Sequence, residues 1–117
     1  MHKKINPIID KLDTCDTSEF IDSASDIINT SFNKGFVLHS DFISGIKTIE
    51  FSFIQTDKII TYDQIISIVS DIHSNHKGIV TNSYLDKDAL SYCKRNLIVV
   101  ADRDALIDMM IFNYKHK

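Results

Sequence analysis

Apolar side chains along this chain repeat with two distinct periods. Between Asp16 and Phe32 the residues Phe20, Ala24, Ile27, Ile28 and Phe32 return every three or four positions, which is one face of an α-helix. Asp16 or Thr17 offers the N-cap, Glu19 suits the positive helix end, and Asn33 to Gly35 supplies a stop. Ile5 to Leu12 reads as a shorter helix, with Pro7 tolerated in its first turn. The period then changes. Ile49, Phe51, Phe53 and Gln55 alternate with Thr48, Glu50, Ser52 and Ile54, so Ile46 to Gln55 is expected to be a strand. Phe36 to Phe42 forms a second apolar run, and Ser44-Gly45 makes the turn of an antiparallel hairpin.

The second half repeats one theme. Thr61 can cap a helix running from Tyr62 to about His73, buried through Ile65, Ile66, Ile68, Val69 and Ile72. Gly78 to Ser83 forms a strand, Tyr84 to Arg95 a helix, Leu97 to Ala101 a strand, and a last helix reaches at least Met110. Short apolar strands joined by a helix of about a dozen residues are the pattern of a parallel βαβ unit. The whole order predicts an α/β sandwich of three layers, with helices on both faces of a central mixed sheet.

At 117 residues the chain suits one domain, residues 1–16 being an extension and 17–117 the core. An apolar fraction of 44% with 25% charged residues is that of an ordinary water-exposed globule. No apolar run approaches the ~20 residues of a membrane span, and Met1 to Pro7 leads into no signal-peptide core. A cytoplasmic location without membrane contact is the expectation. Thirteen basic against 16 acidic residues give a net charge of −3, which argues against a strongly basic nucleic-acid face.

The wording of Lys77 to Met110, KGIVTNSYLDKDALSYCKRNLIVVADRDALIDMM, goes further than its periodicity. It resembles the closing part of the Mrr-type restriction endonuclease domain, in which a G-[IV]-[IV]-[IV]-T strand meets a polar turn. There a helix bearing A…[YA]-[CA], another strand and a final L…L…[LM] helix follow. The resemblance implies the restriction-endonuclease-like fold with its PD-(D/E)xK chemistry. In such sites clustered carboxylates hold Mg²⁺, and a Lys positions or activates the attacking water.

Members of this family often write the motif as G-x-D followed by Q-x-K. The corresponding residues here are Gly45-Ile46-Lys47 and Gln55-Thr56-Asp57, so Lys47 replaces the metal-binding Asp and Asp57 replaces the Lys. Both changes reverse charge. Lys58 lies one residue late, and on a regular strand that sends it to the opposite face unless a bulge intervenes. A reworked catalytic set would use Asp41, Gln55, Asp57 and Lys58, with Asp41 and Asp57 on the metal; Glu50 is a further acidic candidate. Magnesium is expected only if catalysis survives.

Other candidates carry blander readings. His73 and His76 are spaced for a metal but fall at a helix end with no third ligand nearby. His39 reads as a sheet residue, and His2 and His116 are terminal. Thr81-Asn82-Ser83, at the end of a parallel strand, can contact a phosphate or cap the helix expected at Tyr84. Asp102, Asp104 and Asp108 with Arg103 read as a helix cap and a solvated face. Cys15 and Cys93 read as reduced thiols, although Lys94 beside Cys93 could lower its pKa.

Three functional readings follow. The first is a Mrr-like domain with impaired or lost cleavage, keeping a nucleic-acid- or protein-binding role in a defence or mobile-element system. Lys94, Arg95 and Lys77 are then the residues expected to meet nucleic acid, weakly. The second is a small homodimeric α/β interaction module unrelated to DNA. The third is an active Mg²⁺-dependent DNA endonuclease with migrated residues.

Overall fold

In each of four helices, a side-chain oxygen just before the first turn accepts a hydrogen bond from the third amide inside it. Asp16 accepts from Glu19 N (2.8 Å), Thr61 from Gln64 N (3.4 Å), Asp86 from Ala89 N (2.8 Å) and Asp102 from Ala105 N (3.0 Å). Gln64 closes a capping box by accepting from the Thr61 amide at 2.9 Å. These caps set the starts of the helices in this computed structural model, which describes residues 9–34, 50–71 and 76–115. In chain order the elements are α1 (9–14), α2 (Thr17–Asn33), β1 (Glu50–Ile54), α3 (Tyr62–Ser70), β2 (Lys77–Thr81), α4 (Lys87–Arg95), β3 (Val99–Ala101) and α5 (Arg103–Lys115).

The strands form a parallel sheet in the order β1-β2-β3. Cross-strand register aligns Phe53 with Val80 and Val80 with Ala101 on one face. Ser52, Ile79 and Val100 form the matching row on the other face. Helices cover both faces. Leu12 of α1, Phe20, Ala24 and Ile28 of α2 and Leu106, Met109 and Met110 of α5 pack over the Phe53 row. Phe20 meets Phe53 edge to face, with ring centroids 6.4 Å apart. Ile65 and Val69 of α3 and Ala89 and Cys93 of α4 pack over Ile79 and Val100. Gly78 lies between Phe51 and Val99 in register, so the bulkiest residue of that row faces no opposing side chain.

The expected order is therefore present where it is described, with shorter elements. The strand expected at Ile46 to Gln55 is described from Glu50 and ends at Ile54, residues 46–49 lying outside the described ones, and the helix expected to reach His73 ends at Ser70. The hairpin's first strand, Phe36 to Phe42, lies outside the described residues, and with it the antiparallel part of the expected mixed sheet. Among the described residues no helix is long and apolar enough to cross a membrane.

One boundary departs for a clear reason. The strand expected from Leu97 begins at Val99, because Leu97 is the left-handed residue of a Schellman turn with φ of 54°. Ile98 N donates to Cys93 O at 2.8 Å and Leu97 N to Lys94 O at 3.4 Å, and Ile98 packs in the same core cluster as Cys93. Glycine is the usual occupant, since a Cβ in this conformation costs roughly 1–2 kcal/mol. Leu97 is also 59% exposed, so little packing offsets that cost. Leu97→Gly is expected to raise the unfolding free energy by about 1 kcal/mol in a urea melt, with an unchanged m-value.

Candidate functional site

β1 and β2 separate after Ile54 and Thr81 and meet again at the Ile60–Leu85 bridge. Five residues, 55–59, therefore face three, 82–84, across this gap. The longer side is pushed outward and opens a cleft at the C-terminal edge of the sheet, where parallel α/β sheets commonly hold ligands. The cleft measures about 380 Å³ and is lined by Asp13, Thr56, Asp57, Ile59, Asn82, Ser83, Tyr84 and Arg103.

Asn82 organises its floor. Only 3% exposed, it accepts from Thr56 N through Oδ1 at 2.9 Å and donates from Nδ2 to Asp13 Oδ1 at 2.9 Å. Arg103 donates from Nη1 to the same Asp13 oxygen at 2.7 Å and to the Asn82 carbonyl at 3.0 Å. Partial burial works to raise the Asp13 pKa, but the hydrogen bonds from Arg103 and Asn82 and the Arg103 charge outweigh it, so the carboxyl sits below its ordinary value. The Asp13 bond in turn pushes Arg103 further up. Tyr84 donates its hydroxyl to Asp104 at 2.8 Å, which together with desolvation raises the phenol's pKa.

Gln55 makes a contact that its motif position does not announce. Its Nε2 donates to the carbonyls of Leu12 and Cys15 at 2.9 and 2.7 Å, so both amide hydrogens fasten the end of α1. Asp57 opens on the cleft, whereas Lys58 does not line it. The break in β1 supplies the irregularity that could have rescued Lys58. Instead its backbone donates to Thr56 Oγ1 and accepts from Ser83 Oγ, at 3.2 and 2.7 Å, and the residue is exposed.

Asp41 and Lys47 lie outside the described residues. Glu50 stands at the opposite end of β1, where its amide donates to His76 O at 2.9 Å. His73 lies outside the described residues. Among the described residues no three His, Cys, Asp or Glu side chains gather to hold a metal ion. Of the expected metal-site residues, Gln55, Asp57 and Lys58 fall among the described ones, and of these Asp57 lines the cleft.

The expected nucleic-acid residues sit elsewhere. Lys77 begins β2 and donates from Nζ to Val69 O at 3.4 Å, near the end of α3. Lys94 and Arg95 occupy the last turn of α4, and Arg95 donates from Nε to Ser91 O at 3.4 Å. Helices joining parallel strands run back along the sheet. All three cations therefore belong to the N-terminal edge, away from Gln55 and Asp57.

Three local readings need correction. Thr81-Asn82-Ser83 does not cap the next helix, which starts at Lys87 under Asp86; Asn82 instead joins the cleft floor. Arg103 is no member of a solvated face, though Asp102 is the expected cap. Nor does Lys94 activate Cys93, because burial pushes that thiol up to about 11.

Scans of protein-family models, curated proteins and solved structures find no match to this chain.

Two outcomes test this geometry. Ionised Asp13 stabilises the fold fully above its ordinary pKa, and this contribution disappears as pH falls through the lowered folded-state value. Asp102, raised by burial, has the opposite sign and is common to wild type and variant. The stability difference between wild type and Asp13→Asn should therefore shrink below about pH 4 in denaturant melts. A difference that grows on acidification contradicts the placement. Iodoacetamide at pH 8 should leave Cys93 unmodified in the folded protein and label it once urea unfolds the chain, as read by peptide mass.

Proposed function

We propose that this chain is a non-cleaving relative of the Mrr-type restriction endonuclease domain, its scaffold turned to binding. The observation that carries the reading is Asp57, which places a carboxylate on the cleft where the motif has its lysine, while Lys58 does not line that cleft. Gln55 donates from Nε2 to the Leu12 and Cys15 carbonyls, which ties it to α1. The parallel β1-β2-β3 order with helices on both faces is compatible with a restriction-endonuclease-like sandwich.

Binding to nucleic acid, in this reading, uses Lys77, Lys94 and Arg95 at the N-terminal edge. With a net charge of −3 and few clustered cations, such binding is weak and salt-sensitive. A role in defence or in a mobile element belongs to this proposal, as does a homodimeric assembly. Surviving Mg²⁺-dependent cleavage by Asp41, Gln55, Asp57 and Lys58 is disfavoured, because Lys58 does not line the cleft that Asp57 faces.

Purified protein incubated with supercoiled plasmid and Mg²⁺ or Mn²⁺ should leave it uncut. Cutting that disappears in Asp57→Ala or Asp41→Ala would overturn the proposal. Duplex binding should follow a shallow salt slope, each phosphate contact contributing about −0.9 to log affinity against log salt. It should vanish near ~0.15 M salt and weaken further in Lys94→Glu.

A further inference from the structure

The geometry points to a carboxylate-binding cradle at the C-terminal edge of the sheet, built from Asn82 and Arg103 and filled in the resting protein by Asp13. This inference rests on the cleft and is independent of any descent from a nuclease.

Both donors are held by bonds that do not involve Asp13. Thr56 N donates to Asn82 Oδ1 at 2.9 Å, which fixes the amide so that Nδ2 faces the carboxylate. Arg103 Nη1 also donates to the Asn82 carbonyl at 3.0 Å, which holds the guanidinium beside that amide. If the Asp13 side chain rotates away, two oriented donors remain. Such preorganisation lowers the ordering cost of accepting another anion.

Asp13 is the removable member. It stands at the end of α1, its side chain is 34% exposed, and it lines the cleft. Leu12 is 1% exposed and Gln55 grips the carbonyls of Leu12 and Cys15, so α1 stays seated while Asp13 changes rotamer.

The cleft selects the ligand's charge. Arg103 is the cation lining it, and Asp57 adds a negative charge on the same wall. A dianionic phosphate meets more repulsion there than a monoanion does. A carboxylate instead reproduces the bonds that Asp13 already makes. Ile59, 60% exposed, and Tyr84, 39% exposed, offer apolar surface beside it for the rest of such a ligand. Two sources share this chemistry, a small free monocarboxylate and the carboxyl terminus of a polypeptide.

Chemical rescue tests the cradle. Asp13→Ala should melt below wild type, and sodium acetate should raise its melting temperature saturably, while sodium chloride at equal ionic strength should not. Removing a tethered competitor strengthens apparent affinity, so acetate should bind the variant about tenfold more tightly than wild type. The double variant Asp13→Ala/Arg103→Gln should lose the acetate-specific gain. N-acetyl-glycyl-glycine binding more tightly than acetate assigns the site to a chain terminus; the reverse order assigns it to a free acid. Equal melting in acetate and chloride overturns the inference, and so does rescue that survives Arg103→Gln. Should Asp13→Ala fail to fold, arginine side-chain NMR of the wild-type protein decides: saturable acetate shifts at Arg103 support the cradle, and their absence refutes it.

Discussion

A buried amide must find partners at both ends, and Asn82 finds them in two different parts of the chain. Its oxygen takes the Thr56 amide where β1 has left the sheet, and its nitrogen reaches Asp13 at the end of α1. An unpaired group at this depth would cost about 1–3 kcal/mol. The gap between β1 and β2 is thus held open in one shape, and α1 is drawn against it. Arg103 then closes a circuit with Asp13 and the Asn82 backbone, joining α5 to the same point. Helix caps and apolar rows build the layers, but this polar joint decides what stands at the edge where chemistry would occur.

The two edges of the sheet have separate characters. The C-terminal edge carries Asn82, Arg103, Asp13, Asp57 and the cleft. The N-terminal edge carries Lys77, Lys94 and Arg95, each near a helix end. A ligand large enough to touch both would have to span the length of the strands. Cleavage and cation-mediated binding would share one surface in a nuclease that holds its substrate over the metal; here the candidate residues for the two do not converge.

Element order was readable because apolar periods and capping side chains report local geometry, as at Asp16 and Thr61. Boundaries were less readable where a tertiary contact decided them. Leu97 looks like the first residue of a strand, yet the turn that lets Ile98 reach Cys93 requires it to be left-handed. Asn82 looks like a cap because it precedes a helix, but Asp86 is the residue with the right spacing to Ala89. The Arg103–Asp13 pair joins positions at opposite ends of the chain, and no local pattern announces it. A bulge near Lys58 was conceivable from sequence; which way it would aim the side chain was not.

The excursion from Gln55 to Ile59 has an evolutionary consequence. Because the strands re-pair at Ile60–Leu85, the chain returns to its core register whatever lies between. Changes at Asp57 and Ile59 alter the rim without shifting the Phe53, Val80 and Ala101 row beneath it. Substitutions of Asp57 and Ile59, exposed on that rim, can accumulate at small cost to folding while Gln55 and Thr56 keep their bonds to α1 and Asn82. One scaffold can thereby lose an old chemistry and acquire a new one while its interior stays unchanged.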